Sequence, residues 1–208
     1  MNKNRLPIGM DDFEEIITKE YYYVDKTLLI KELVDKMGKV NLFTRPRRFG
    51  KTLNLSMLKY YFEKPIDQKS RKYLFDGLKI MDAGTKYTSL QGQYPVIFLT
   101  LKSAKQGSWE LSYKSLIEEL ANEFERHDYV LNCEDILEED KEKYRAVRGR
   151  RGEAIDYAKA LFFLSKCLYL YHRKRVVILI DEYDVPLENA YYSGFYYEMI
   201  RFIRYLFE

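Results

Sequence analysis

The sequence predicts an α/β domain in which a mainly parallel sheet lies between two layers of helices, and three stretches predict it. The first runs from Val40 to Leu58: an apolar run with Val40, Leu42 and Phe43, a turn ending Gly50-Lys51-Thr52, then a helical pattern. The second is Val176-Val177-Ile178-Leu179-Ile180, consecutive β-branched or aliphatic residues closed by Asp181-Glu182. The third is Tyr94 to Leu101, read as a second buried strand, with Pro95 tolerable only near its start. Helical patterns separate the three, and strands alternating with helices build a parallel sheet through right-handed crossovers.

A strand-to-helix turn that ends Gly-Lys-Thr points successive backbone N–H groups, and the positive end of the helix dipole, at a polyphosphate. In such a turn the lysine reaches the β- and γ-phosphates and the threonine hydroxyl ligates Mg²⁺, so Lys51 and Thr52 are the expected contacts to Mg²⁺-ATP. Arg47, Arg48, Phe49, Gly50 and Leu53 complete the expected nucleotide-binding set, with the two arginines near the phosphates. The general pattern has a glycine where Arg45 stands. Glycine accepts a positive φ there that arginine adopts only at a cost, so Pro46 is expected to shape the loop's entry. The partner lies far downstream. An acidic pair at the carboxyl end of a strand buried on both faces sits where open α/β sheets bind ligands. Asp181 is expected to hold Mg²⁺ through water, and Glu182 to polarise the attacking water, with Lys51 sharing the catalytic role.

Three segments carry a resemblance: Tyr22-Tyr23-Val24-Asp25-Lys26-Thr27, then Thr44-Arg45-Pro46-Arg47-Arg48-Phe49-Gly50-Lys51-Thr52-Leu53-Asn54-Leu55-Ser56, then Leu179-Ile180-Asp181-Glu182-Tyr183-Asp184-Val185-Pro186-Leu187. Together they resemble the bacterial and archaeal AAA-ATPase-like family, over nearly the whole chain. In that family an arginine at the first glycine position is usual. The resemblance implies a P-loop NTPase-type three-layer α/β/α fold over residues 1–208. Family members typically continue into a second half of the ATPase domain, and often into a nuclease-like domain of the restriction-endonuclease type. This sequence is therefore expected to correspond to an N-terminal portion, with a sheet incomplete at its C-terminal side. Related ATPases place a further strand between the loop strand and the acidic strand, yet the residues after Glu182 read as a loop and one helix. Weak hydrolysis by this chain alone is therefore expected, and either the sheet closes up, with strand one beside the acidic strand, or a gap exposes unpaired strand edges that invite self-association.

Composition narrows the class. Of the 208 residues 47% are hydrophobic and 32% charged, and 20 Tyr with 12 Phe supply ample material for a core. A net charge of +3 is too small to imply nucleic-acid binding by itself. Cys133 and Cys167 lack Cys-x-x-Cys spacing and read as reduced thiols of a cytoplasmic protein, Cys167 within an apolar helical run. Residues Met1 to Met10 carry no apolar run of the signal-peptide kind, and no apolar window is long enough to span a membrane. His127 and His172 have no ligand-spaced companions, and structural or surface roles are expected for both.

Taken in order, Pro7 to Lys26 is polar and then aromatic. Its plainer reading is a segment packed over a sheet edge, and its sharper one a cover for adenine through Tyr23 and Asp25. A helix is expected over Thr27 to Met37, with Leu28, Leu29, Leu33, Val34 and Met37 on one stripe and Gly38 ending it. Strand one follows at Val40 to Phe43, and the helix after the loop spans Thr52 to Phe62. Asp67 to Tyr94 is mixed. A helix from about Ser108 to His127 presents Trp109, Leu116, Ile117, Leu120 and Phe124 on one face. Residues 131–151 are acidic and then basic, the pattern of a solvated helix or flexible insertion, with a nucleic-acid patch as the alternative. A helix over Glu153 to Tyr171 leads into the acidic strand; a loop over Tyr183 to Leu187 and a helix over about Tyr191 to Phe207 follow.

Two functions of different class emerge. One is a Mg²⁺-dependent ATPase or nucleotide switch. The other is a binding or scaffold module that grips a nucleotide without turnover or grips nothing, associated with nucleic-acid processing or defence through the family's nuclease companion.

Overall fold

The computed structural model describes residues 5–36, 38–44 and 49–208, and the chain divides into two compact units, 1–96 and 97–208. In the first unit, α1 (Phe13–Thr18) begins at Asp12, whose carboxylate accepts from the Glu15 amide and satisfies one of the donors a helix start leaves without a partner. The same carboxylate accepts from Ser56 Oγ at 3.2 Å and the Tyr60 hydroxyl at 3.0 Å, and Ser56 Oγ accepts from the Phe13 amide at 2.9 Å. These bonds latch α1 to α3 (Lys51–Phe62). Phe13, Ile16, Met57, Leu58, Tyr61, Leu74 and Phe75 are buried in this unit, where Phe13 and Tyr61 each pack a ring against Phe75 at 5.0 Å.

Helix α2 (Leu28–Lys36) forms where its apolar spacing predicts it, but a different residue is buried. Ile30 is fully buried and Leu28 is 40% exposed, because Thr27, also buried, sets the entry of the helix by accepting from the Ile80 amide. Met37 lies outside the described residues. A short helix, α4 (Thr85–Thr88), and 3₁₀ turns at Lys72–Phe75 and Lys79–Ala83 fill the mixed stretch before Tyr94. The strand expected at Val40 to Phe43 does not form. Val40 is 89% and Leu42 67% exposed, and no strand among the described residues takes up their backbone groups. An extended run becomes a strand only when a neighbour accepts and donates along it.

The second unit holds most of a two-stranded parallel sheet, β1 (Val96–Thr100) against β2 (Val177–Asp181). The Leu101 amide extends the pairing to the Asp181 carbonyl at 3.0 Å. Between the strands run α5 (Trp109–Arg126), α6 (Glu138–Arg148), α7 (Ala154–Ala158) and α8 (Ala160–His172), and after β2 come α9 (Val185–Ser193) and α10 (Tyr196–Phe207). Ser108 caps α5 by accepting from the Leu111 amide. Leu116, Leu120, Phe124, Phe163, Leu164, Leu168, Met199 and Ile203 build the core.

Several boundaries move for local reasons. The helix expected over 153–171 is two helices, since Glu153 and Asp156 close a capping box around the one-turn α7 before Lys159 interrupts it. The loop expected after Asp181-Glu182 is already helical from Val185, with Pro186 in the first turn, where a missing N–H costs nothing. Gly194, at φ 84°, breaks the last helix into α9 and α10. Strand β2 is not buried on both faces: Leu179 and Asp181 are buried while Ile178 is 44% exposed, because a two-stranded sheet leaves a face uncovered.

The charged stretch 131–151 is structured. Tyr144 and Val147 anchor α6 in the core, the Tyr144 hydroxyl donating to the Phe124 carbonyl at 2.7 Å. Its basic residues meet acids: Lys143 with Asp156 at 2.8 Å, Arg145 with Glu138 at 2.8 Å, and Arg150 with Glu118 at 2.7 Å.

Candidate functional site

In the first unit the described loop residues lead into the start of α3. Gly50 stands just before the helix at φ 74°, ψ 29°, a left-handed conformation open to glycine and strained for other residues. The Asn54 amide closes the first helical turn on the Gly50 carbonyl at 3.0 Å. Lys51, Thr52 and Leu53 follow as half-buried first-turn residues, and Phe49 is 60% exposed before them. Arg45, Pro46, Arg47 and Arg48 lie outside the described residues.

The electrostatics of this helix start are one-sided. Gly50 offers no side chain to cap the helix, and no acidic residue occupies its first turn. The amides of a first helical turn have no partner within the helix and carry its positive pole. Lys51 adds a cation there, and a second one, missed in the sequence, comes from Lys26. A methyl group placed on Gly50 would lie 3.8 Å from Lys26 Nζ. The signal available in the sequence was Asp25-Lys26-Thr27, where the acid drew the attention.

Asp25, expected with Tyr23 to cover adenine, is a three-donor acceptor. It accepts from the Thr27 amide at 2.9 Å, from Thr27 Oγ1 at 2.6 Å and from the Lys79 amide at 2.8 Å. Burial opposes its ionisation, but these bonds outweigh burial and hold its carboxyl below the usual range. Tyr23 donates its hydroxyl to Met57 Sδ at 3.6 Å and sets its ring edge-on to Phe13 at 5.3 Å, and burial pushes its phenol up to about 12. Tyr23 thus packs upon the middle of α3, and Asp25 ties the turn before α2 to the Lys79 backbone.

The acidic pair belongs to the second unit. Asp181 ends β2 and is 4% exposed, its Oδ1 accepting from the Glu182 amide at 3.0 Å. Glu182 is half-buried at φ 53°, a left-handed backbone that a side chain adopts only at a cost. Its carbonyl accepts from the Val185 amide at 3.1 Å, closing the turn into α9. Non-glycine residues held in such conformations recur at functional sites.

Elsewhere in that unit Glu123 gathers a polar cluster. It takes the Phe98 amide of β1 at 2.8 Å, Arg126 Nε at 2.8 Å and Nη2 at 2.6 Å, with His127 Nε2 at 3.3 Å. His127 Nδ1 lies 3.0 Å from the Tyr129 hydroxyl, which lies 2.9 Å from His172 Nε2. Both histidines therefore join a hydrogen-bonded chain that ties the ends of α5 and α8 together. Among the described residues no group of three or more His, Cys, Asp or Glu is placed to hold a metal ion, and no helix is long and apolar enough to cross a membrane.

A glycine-lysine-threonine helix start and an acid-ended strand of a mixed α/β fold are features of a nucleotide-handling ATPase class. A family model described as a predicted AAA-ATPase matches residues 7–208, and the chain belongs to that family. It is also similar to the uncharacterized protein in the vnfD 5′ region of Azotobacter chroococcum mcd 1, 29% identical over 188 residues. That match covers 90% of this chain and 30% of the relative, so the chain spans less than a third of the relative's length. No solved structure matches.

Proposed function

We propose that this chain is the nucleotide-binding part of a Mg²⁺-dependent ATPase or nucleotide switch of the P-loop three-layer type. The observation that carries the reading is the start of α3: a helix N-terminus whose Gly50 cap offers no side chain, free of acids in its first turn, with Lys51 in that turn, in a member of an ATPase family. Placing cations at the positive pole of a helix is unfavourable by itself. A polyanion reverses the sign, so a polyphosphate fits the residues present.

On this reading Lys51 takes the β- and γ-phosphates, and Gly50 lets the backbone approach them. Arg47, Arg48, Phe49 and Leu53 flank the nucleotide. Thr52 and Asp181 are the residues that would hold Mg²⁺, which when bound neutralises charge on the phosphates. Glu182, held at a left-handed backbone, accepts a proton from the attacking water.

The test is calorimetry with ATP and Mg²⁺ on the wild type and on Lys51→Ala. Loss of a charge-assisted contact worth about 1.5–3 kcal/mol lowers affinity roughly ten- to a hundredfold. Equal affinity for the two proteins refutes the reading. Glu182→Gln should keep ATP affinity and lose turnover.

A further inference from the structure

We infer that Lys26 is a second phosphate-contacting lysine of this loop, a positioning residue that grips the polyphosphate alongside Lys51; the inference rests on the nucleotide-binding reading of the α3 start. Its two neighbours in sequence are both committed elsewhere. Asp25 spends Oδ1 on Thr27 and Oδ2 on the Lys79 amide. Thr27 is fully buried, and its hydroxyl accepts from the Ile80 amide at 3.1 Å. The residue between them is thereby held at a set position on the surface, with its side chain exposed and its ammonium beside Gly50.

Among the described residues Lys26 makes no ion pair, and the acid next to it in sequence is bonded to Thr27 and to the Lys79 amide. Lys51, also without an ion pair among the described residues, stands in the first turn of the same helix. With Lys26 Nζ beside Gly50 and Lys51 in the first turn, two cations stand at a helix's positive pole, where a bound polyphosphate would attract both. A lysine that served only solubility would gain nothing from this placement.

The experiment uses the full chain and measures ATP, ADP and AMP affinity by calorimetry at two salt concentrations, for wild type, Lys26→Met, Lys26→Arg and Lys51→Ala. Methionine keeps most of the apolar stem and removes the charge. Lys26→Met is expected to bind ATP and ADP about tenfold more weakly, to lose less affinity than the wild type when salt is raised, and to melt at the wild-type temperature, while Lys26→Arg retains most of the affinity. The ratio of ATP to AMP affinity should fall in Lys26→Met, a change that a purely structural role would not produce. If Lys51→Ala weakens ATP binding and Lys26→Met stays within twofold of wild type, the inference falls and the site reading stands. If the wild type binds no ATP, both fall.

Discussion

Removing the Glu123 carboxylate should destabilise the second unit by about 3 kcal/mol, and the structure gives the parts of that figure. Glu123 is 6% exposed and takes the Phe98 amide at 2.8 Å together with two Arg126 nitrogens. In Glu123→Ala the Phe98 donor loses its acceptor, at a cost of about 1–3 kcal/mol for a buried group. The ion pair with Arg126 goes as well; breaking a buried pair costs about 3–5 kcal/mol with the Phe98 bond counted within it, and the 25% exposure of the Arg126 side chain brings the total to the lower end. For a chain of this size that is a fall of about 6–12 °C in melting temperature.

The pH dependence has a definite sign. Burial disfavours the charged carboxylate, but Arg126 and His127 outweigh burial and lower the Glu123 carboxyl from 4.5 to about 2. A depressed carboxylate contributes stability above its unfolded value and loses it as pH falls through the folded one. The gap between wild type and Glu123→Ala is therefore full at pH 7, shrinks below about pH 4.5 and closes near pH 2. Urea unfolding followed by circular dichroism at pH 7, 4 and 3 measures it. An alanine variant within 0.5 kcal/mol of wild type at pH 7, or a gap that does not narrow with acid, would refute the argument.

Three further outcomes are expected. Glu182→Gly should stabilise the fold by about 1 kcal/mol and so raise the urea midpoint, because glycine occupies the left-handed backbone at φ 53° without strain; a lowered midpoint would show that the Glu182 side chain contributes more than its backbone costs. Asp25→Ala should cost about 1–2 kcal/mol at pH 7 through loss of a three-donor acceptor, and the difference should diminish as pH falls below the usual carboxylate range, read by urea unfolding at pH 7 and 3. Cys167, fully buried with its thiol pushed up to about 12 by burial, should resist iodoacetamide at pH 8 until the chain unfolds, as peptide mass analysis would reveal; rapid native labelling would show that the α8 core opens.

The sequence by itself determined the α/β class, the helix that starts at the glycine-lysine-threonine, and the strand that ends in the acidic pair. The two segments depend on local patterns: an apolar helical surface over 51–62 and a β-branched or aliphatic run over 177–181. Tertiary structure alone decided what those segments meet. Val40 to Phe43 has a strand's composition and no partner, and pairing is a non-local property that composition does not encode. Asp25 carries the more conspicuous chemistry in its segment, yet it is spent on the Lys79 amide 54 residues on, while the unremarked Lys26 reaches the loop. The basic half of 131–151 reads as free charge until Glu118 and Asp156, from other helices, arrive to neutralise it. Hydrogen bonds and ion pairs are short-ranged in space and indifferent to distance along the chain, so the roles they assign become visible only after folding has chosen the neighbours.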